Sequence, residues 1–179
     1  MNSTTVPWIR TPGAIQVFLF ALVVRLVFLV VVPAVPISGD ASDYDRLAHA
    51  LVAGEGYVSE TGQPTSMRPP LYSYVLAGFY QIFVDGPAAM RVLHAMLDAV
   101  TCTLVYGLTV RHFGFAAARI AGFLSIFSLS LLFATRHLLA ETFMAFFMVA
   151  IVCSLDTALR SWRDRAFLLT GLFVGLSTL

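Results

Sequence analysis

Of the 179 residues in the chain, 59% are hydrophobic and only 12% are charged, and the mean hydropathy is +0.85. Soluble domains are about 45–50% apolar and about 25% charged, so this composition is typical of a membrane protein. The net charge of +1 gives no case for nucleic-acid binding, which requires a basic patch.

The first apolar segment, residues 14–35, is long enough to span a hydrocarbon core of ~30 Å at ~1.5 Å per residue. A secretory signal peptide is the competing interpretation, but its apolar region is about 7–15 residues long and ends at a small-residue cleavage site. Because this segment is longer and leads directly into an acidic loop, we predict an uncleaved membrane helix. Arg25 lies in its middle, where a charge costs about 2.5–3.5 kcal/mol, so we expect it to face a helix bundle or a polar cavity.

A polar loop follows and holds five of the ten carboxylates of the chain: Asp40, Asp43, Asp45, Glu55 and Glu60. The stretch SDYDRLAHALVAG within it has helical spacing, and Gly54 is the predicted stop. Asp40 precedes this helix, and Ser42 or Asp43 is the predicted cap, because a carboxylate at a helix N-terminus is stabilised as an anion. Capping is the simpler interpretation of Asp43 and Asp45. Asp40 lies where the first membrane helix ends, which favours a functional role.

Two apolar segments flank the Asp-Gly-Pro turn that comes after this loop. Residues 74–83 are too short to span, so we predict an interfacial helix. Residues 88–110 form the second predicted span and contain Arg91, His94 and Asp98. Their i, i+3 and i+7 spacing puts them on one helix face. We expect that face to be buried against protein or water, with Asp98 paired to a buried arginine or histidine.

Residues 115–133 form the third predicted span and residues 138–155 the fourth, with a short polar link between them. The last apolar run, residues 166–179, is too short to cross a membrane comfortably, so the chain is expected to stop within a helix. The predicted fold is therefore all-α: a polytopic membrane helix bundle with four full spans and a truncated fifth. Residues 1–179 form a single membrane domain, with interfacial helices in an external loop at residues 38–85.

The distribution of arginines predicts the orientation of the chain. With the N-terminus in the cytoplasm, the internal segments hold six arginines and the external segments four, and a compact cluster at residues 160–165 lies inside. The acidic loop then faces outward. The short link at residues 136–141 lies on the same side of the membrane.

One spaced pattern runs through the external loop: Gly39-Asp40, Tyr44, Leu47-Ala48, Gly54, Gly56-Tyr57 and Arg68-Pro69-Pro70-Leu71-Tyr72. It resembles the N-terminal part of polytopic GT-C glycosyltransferases, in particular the bacterial branch related to protein O-mannosyltransferases and aminoarabinose transferases (glycosyltransferase family 39-like). The resemblance extends over residues 14–179, which correspond to the first third to half of a family member.

The resemblance implies a bacterial enzyme of the inner, cytoplasmic membrane that takes a sugar from a polyprenyl-phosphate donor. The sugar goes with inversion to a lipid, protein or glycan acceptor outside the cytoplasm. Asp40 matches the family's general base, which removes the proton of the acceptor hydroxyl. Family members often carry a second acid in the next external link, and Glu141 matches it. The resemblance implies no certain cofactor, but Asp40 and Glu141 would be the ligands of a divalent cation.

The lipid phosphate that leaves is an anion and requires cationic neighbours. The candidate substrate-binding residues are Arg68, Arg91, Arg136 and His137, together with the aromatic Tyr44 and Tyr57. Each of the cationic residues is equally compatible with an interfacial anchor or a contact to membrane-lipid headgroups. For Glu141 the alternative is an ion pair with Arg136 or His137 that neutralises a helix end.

Two other functions compete with glycosyl transfer. The first is a transporter or flippase for a lipid-linked or anionic substrate, with Arg25, Arg91, His94 and Asp98 along its path. The second is an inactive, truncated fragment or a non-catalytic scaffold. The acidic external loop that ends in Arg-Pro-Pro-Leu-Tyr favours the glycosyltransferase. The two cysteines, Cys102 and Cys153, lie in apolar stretches and predict neither a disulfide nor a metal site.

Overall fold

The computed structural model describes residues 11–33, 36–162 and 164–179. The described residues form an all-helical membrane bundle, as predicted. Its elements are α1 (Ala14–Val31), α2 (Asp40–Val52), α3 (Pro70–Ile82), α4 (Gly86–Ile126), α5 (Leu129–Arg136), α6 (Glu141–Ser161) and α7 (Asp164–Thr178). Among the described residues, α1, α4 and α6 are long and apolar enough to cross a membrane.

Helix α1 ends four residues earlier than predicted. Its last hydrogen bond joins the Val32 N–H to the Phe28 carbonyl, and Val32 itself is extended. Pro33 follows, and a proline disfavours helical backbone in the residue before it. The final predicted residue, Val35, lies outside the described residues. Arg25 has no exposed surface, which confirms that it faces the bundle.

Helix α4 reverses direction at Gly114, where the backbone is non-helical with φ 80° and ψ 176°. Only glycine adopts such a conformation without strain. In a continuous helix, residues 106 and 122 would lie about 24 Å apart at 1.5 Å per residue. Instead, a Cβ atom on Gly122 would lie 3.4 Å from the Tyr106 ring. The two arms of α4 are therefore antiparallel and correspond to the second predicted span and the first part of the third.

The third predicted span is interrupted, contrary to expectation. Helix α4 ends at Ile126, two residues lie outside helical structure, and α5 then runs to Arg136. The link predicted at residues 134–137 is thus mostly helical. Arg136 is buried in this position because its guanidinium contacts the backbone of α1, as described below.

The two helices of the loop predicted to be external, α2 and α3, also begin earlier than predicted. Asp40 is the first residue of α2 rather than a residue before it, and neither Ser42 nor Asp43 caps this helix. Helix α3 begins at Pro70, four residues before the expected start. Pro70 suits the first helical turn because its missing N–H would have no helical partner there. At the other end of α2, Gly54 has φ 78° and donates to the Leu51 carbonyl, as expected of a helix stop.

The core consists of two clusters that both involve α4. One lies at the end of the bundle that carries α2 and α3, and it joins α2, α3, α4 and α6 around Tyr44, Tyr72 and Leu138. The other joins α1 to both arms of α4 around Ala21, Cys102 and Ile126. Helix α7 packs against α6. Both cysteines are buried and free of a disulfide, as expected.

Candidate active site

Arg68 lies between two carboxylates from the first turn of α2. Its Nη2 atom is 2.5 Å from Asp40 Oδ1 and 2.8 Å from Asp43 Oδ2, and its Nε atom is 3.2 Å from the same oxygen of Asp43. Hydrogen bonds to Asp40 and then Asp43 raise the pKa of Arg68 above its ordinary value. Asp43 therefore binds Arg68 instead of capping α2. No sequence pattern signalled this contact, because 25 residues separate the two side chains.

The position of Arg68 follows from the chain on either side of it. Pro69 precedes α3 and Pro70 begins it, and both prolines restrict the backbone next to Arg68. The hydroxyl of Tyr57 donates to the Arg68 carbonyl at 3.0 Å, and the ring of Tyr57 stacks on Tyr74. Tyr57, predicted to bind substrate, thus contacts the segment that carries the guanidinium.

The ring of Tyr44 lies against the guanidinium of Arg68. The guanidinium carbon of Arg68 lies 5.6 Å from the centre of its ring, within the range of a cation–π contact. Burial raises the pKa of Tyr44, Arg68 opposes this increase, and the charges of Glu141 and Asp40 add to it. Asp40 on α2 and Glu141 on α6 thus both contribute to the raised pKa of Tyr44, although 101 positions separate them in the chain.

Glu141 is the first residue of α6 and is exposed. Within the described part of the chain it has no hydrogen bond or ion pair, so the alternative pairing with Arg136 or His137 is not observed. His137 uses its Nδ1 atom for the Phe133 carbonyl at 2.8 Å. The exposed position of Glu141 leaves its carboxylate accessible to a substrate.

Arg136 binds the end of α1 and is not exposed to a substrate. Its guanidinium donates to the carbonyls of Leu29 at 2.5 Å, of Pro33 at 3.1 Å and of Val32. These are among the carbonyl groups that remain unpaired at a helix C-terminus. Only 6% of the residue is exposed. The structure therefore supports a structural role for Arg136 rather than the substrate-binding role expected from its position.

We expect Arg136→Lys to lower the free energy of unfolding by roughly 2–4 kcal/mol. The ammonium group of lysine cannot donate to all three carbonyls that the planar guanidinium of Arg136 contacts. The measurement is equilibrium unfolding in mixed micelles at increasing denaturing detergent. Arg165→Lys is the matched control, because Arg165 is exposed on α7. Wild-type stability combined with weaker donor binding would restore the substrate-binding interpretation.

Arg91 and His94 lie in the first three turns of α4, and they contact Arg136 and Tyr72. Arg91 Nε donates to the Arg136 carbonyl at 3.0 Å. The Tyr72 hydroxyl lies 3.2 Å from His94 Nε2, and the Tyr72 ring packs edge-on against Tyr44. Burial raises the pKa of Tyr72, with a further contribution from Glu141 and an opposing one from Arg91. These residues support the back of the cluster, and Tyr72 links it to α4.

An apolar groove adjoins the cluster on the side of α6 and α7. Its walls come from α3, the start of α6 and the end of α7, and include Tyr44, Leu71, Phe143, Met144 and Leu176. The Leu71 N–H donates to the Leu179 carbonyl at 2.8 Å, which ties α3 to the end of the described chain. Tyr44 belongs both to this groove and to the charged cluster, so the two are continuous.

The two predicted metal ligands, Asp40 and Glu141, are the first residues of α2 and α6. Across residues 11–33, 36–162 and 164–179, no three His, Cys, Asp or Glu side chains converge in a way that would hold a metal ion. Asp40, one of the two predicted ligands, instead contacts the guanidinium of Arg68.

Three of the four residues that would line a transport path are buried, and Arg91 is half-buried. Arg25 and His94 are 0% exposed and Asp98 is 1% exposed. Arg25 Nε lies 2.5 Å from Asp98 Oδ2, which confirms that Asp98 pairs with a buried cation. Arg25 also donates to the carbonyls at the end of α4. The charges on which the transport hypothesis depends are thus engaged in helix packing.

Comparison with known proteins connects this cluster to a family. The family model of dolichyl-phosphate-mannose-protein mannosyltransferases matches residues 67–179. No curated protein and no solved structure matches the chain. The matched segment covers more than half of the chain and contains Arg68 and Glu141, whereas Asp40 and Asp43 precede it. The chain therefore belongs to the dolichyl-phosphate-mannose-protein mannosyltransferase family of GT-C type and is an integral membrane glycosyltransferase.

Proposed function

We propose that this protein transfers a sugar from a polyprenyl-phosphate donor to a hydroxyl group of an acceptor, with inversion at the anomeric carbon. The observation that carries the proposal is the contact of Arg68 with Asp40 at the start of α2. It joins a cation suited to a phosphate and a carboxylate suited to a proton in one exposed cluster. The family match supports the same class of reaction.

In the proposed reaction, the oxygen of the acceptor hydroxyl attacks the anomeric carbon of the donor from the face opposite the phosphate. The bond between that carbon and the phosphate oxygen breaks, and its electron pair leaves with the polyprenyl phosphate. The hydroxyl proton passes to Asp40. Its side chain is 63% exposed, so an acceptor has access to it. General-base assistance of this kind typically contributes about 10²–10⁴-fold to a rate.

Arg68 would bind the phosphate, on which negative charge increases as the bond breaks. An interaction that grows stronger during the reaction stabilises the transition state more than the ground state. The guanidinium fork is suited to two phosphate oxygens at once. The apolar groove next to Tyr44 would contact the isoprene unit nearest to the phosphate. We assign Glu141 to the opposite side of the same site, as a ligand for the sugar or acceptor.

We propose that the reaction takes place on the external face of a bacterial cytoplasmic membrane, with the N-terminus inside the cell. The arginine distribution supports this orientation. Asp156 near the other end of α6 is surrounded by Arg111, His112 and Arg160. A basic cluster of this kind is typical of the cytoplasmic side of a membrane protein.

Sealed vesicles that contain the protein distinguish transfer from transport. With polyprenyl-phosphate mannose as donor and a mixture of envelope lipids, peptides and glycans as acceptors, we expect a mannosylated product of inverted configuration. Nuclear magnetic resonance of the anomeric proton determines that configuration. Movement of the intact donor across the vesicle membrane without any mannosylated product would instead support the flippase hypothesis.

A further inference from the structure

We propose that Asp43 is a positioning residue that holds Arg68, and that the donor phosphate displaces Asp40 from the same guanidinium. This inference rests on the proposed function and adds an order of events to it. Before the donor binds, Asp40 is paired with Arg68. Once the phosphate occupies Arg68, the carboxylate of Asp40 is free to receive a proton.

The two carboxylates contact Arg68 unequally. One oxygen of Asp43 accepts from both Nε and Nη2, whereas Asp40 accepts from Nη2 alone. The Asp43 side chain is 24% exposed and the Asp40 side chain is 63% exposed. Exposed ion pairs contribute little net stability, because water and side-chain entropy compete with them. The contact with Asp40 is therefore the one that a phosphate can replace.

Other contacts keep Arg68 in place when Asp40 leaves. The Tyr44 ring lies under the guanidinium, and the Tyr57 hydroxyl binds the Arg68 carbonyl. Asp43 lies on the first turn of α2, directly before Tyr44. Three contacts thus remain after the exchange, which leaves the guanidinium oriented and reduces the entropy lost when the phosphate binds.

The charges around Arg68 also favour the replacement of Asp40 by the donor phosphate. Arg68 with two carboxylates carries a net charge of about −1, which repels a phosphate, although hydrogen bonding favours it. Removal of the Asp40 charge takes away both a competitor and a source of repulsion, so phosphate binding should become tighter. Removal of the Asp43 charge reduces the repulsion equally but releases the guanidinium from its position. The two substitutions therefore have opposite expected effects.

The test is calorimetric titration of the whole chain in nanodiscs of neutral lipid, with citronellyl phosphate and inorganic phosphate as probes. We expect Asp40→Asn to bind citronellyl phosphate roughly threefold to tenfold more tightly than wild type, and Asp43→Asn to bind it about tenfold more weakly. Glu60→Gln is the matched control, because it removes one charge from the same loop at an exposed position. Its affinity should stay within about twofold of wild type.

The directions of the two changes in affinity for citronellyl phosphate test the inference. Weaker binding by both aspartate variants would mean that the two residues act only in folding, and tighter binding by both would mean that only their charge matters. Either result overturns the inference. Arg68→Lys should weaken binding of both probes, because an ammonium group cannot donate to two phosphate oxygens in the planar geometry of a guanidinium. Since no sugar is transferred in this experiment, its outcome is independent of whether Asp40 is the base.

Discussion

Replacement of Asp40 by asparagine is expected to lower the turnover number for sugar transfer by about 10²–10⁴-fold, because an amide cannot accept the proton of the acceptor hydroxyl. The substitution is nearly isosteric, and the side chain is mostly exposed, so the fold should be unaffected. The measurement is initial-rate transfer from polyprenyl-phosphate mannose in reconstituted membranes. The turnover number should fall while the donor affinity is retained or increased.

Two controls accompany this experiment. Glu60→Gln removes a carboxylate of the same loop and should retain the wild-type rate, and thermal unfolding should show that both variants are as stable as wild type. A rate within about threefold of wild type in the Asp40→Asn protein would remove this residue from the mechanism. Glu141 would then be the next candidate for the base.

The largest effect on stability is expected for Arg25→Met. This substitution leaves Asp98 as an unpaired carboxylate inside the bundle, and the loss of one partner of a buried ion pair typically costs about 3–5 kcal/mol. Arg25 also binds the Ser125 and Ile126 carbonyls at the end of α4. The same side chain therefore holds α1 against both arms of α4. The measurement is the free energy of unfolding in mixed micelles.

A double-mutant cycle separates the ion pair from the other contacts of Arg25. The protein with both Arg25→Met and Asp98→Leu should recover most of the lost stability, because apolar replacement of both partners is often nearly neutral. Arg119→Met is the control, since Arg119 is exposed on the second arm of α4. If the double variant is no more stable than Arg25→Met alone, the carbonyl contacts rather than the ion pair hold the helices together.

Three arginines of the chain thus have different roles. Arg25 and Arg136 are buried and satisfy carbonyl groups at the ends of α4 and α1, respectively. Arg68 is held by side chains at the surface of the bundle. Buried guanidinium groups that bind helix ends are part of the packing, whereas a guanidinium paired with an exposed carboxylate can exchange its partner for a phosphate.

Composition and spacing were sufficient for the general architecture. The apolar segments predicted a helical membrane bundle, because a bilayer forces its spanning segments to satisfy their own backbone groups. The position of Arg25 within the first segment predicted its burial, and the spacing of Asp98 predicted a buried partner. The spaced pattern up to Tyr72 predicted the family. All of these depend on local sequence and on the cost of exposing charge to lipid.

The interruption before α5 and the partners of the arginines depended on tertiary packing. Local spacing indicates which face of a helix is polar but not which distant group will meet it. The sequence placed Arg136 in a surface link. In the structure, carbonyls at the end of α1 accept its hydrogen bonds. The sequence predicted Asp43 to be a helix cap. In the structure it instead binds Arg68, which is 25 residues away in the chain. Contacts of this kind form only when separate helices pack, so the sequence alone predicted the type of chemistry and the tertiary structure determined which side chains meet.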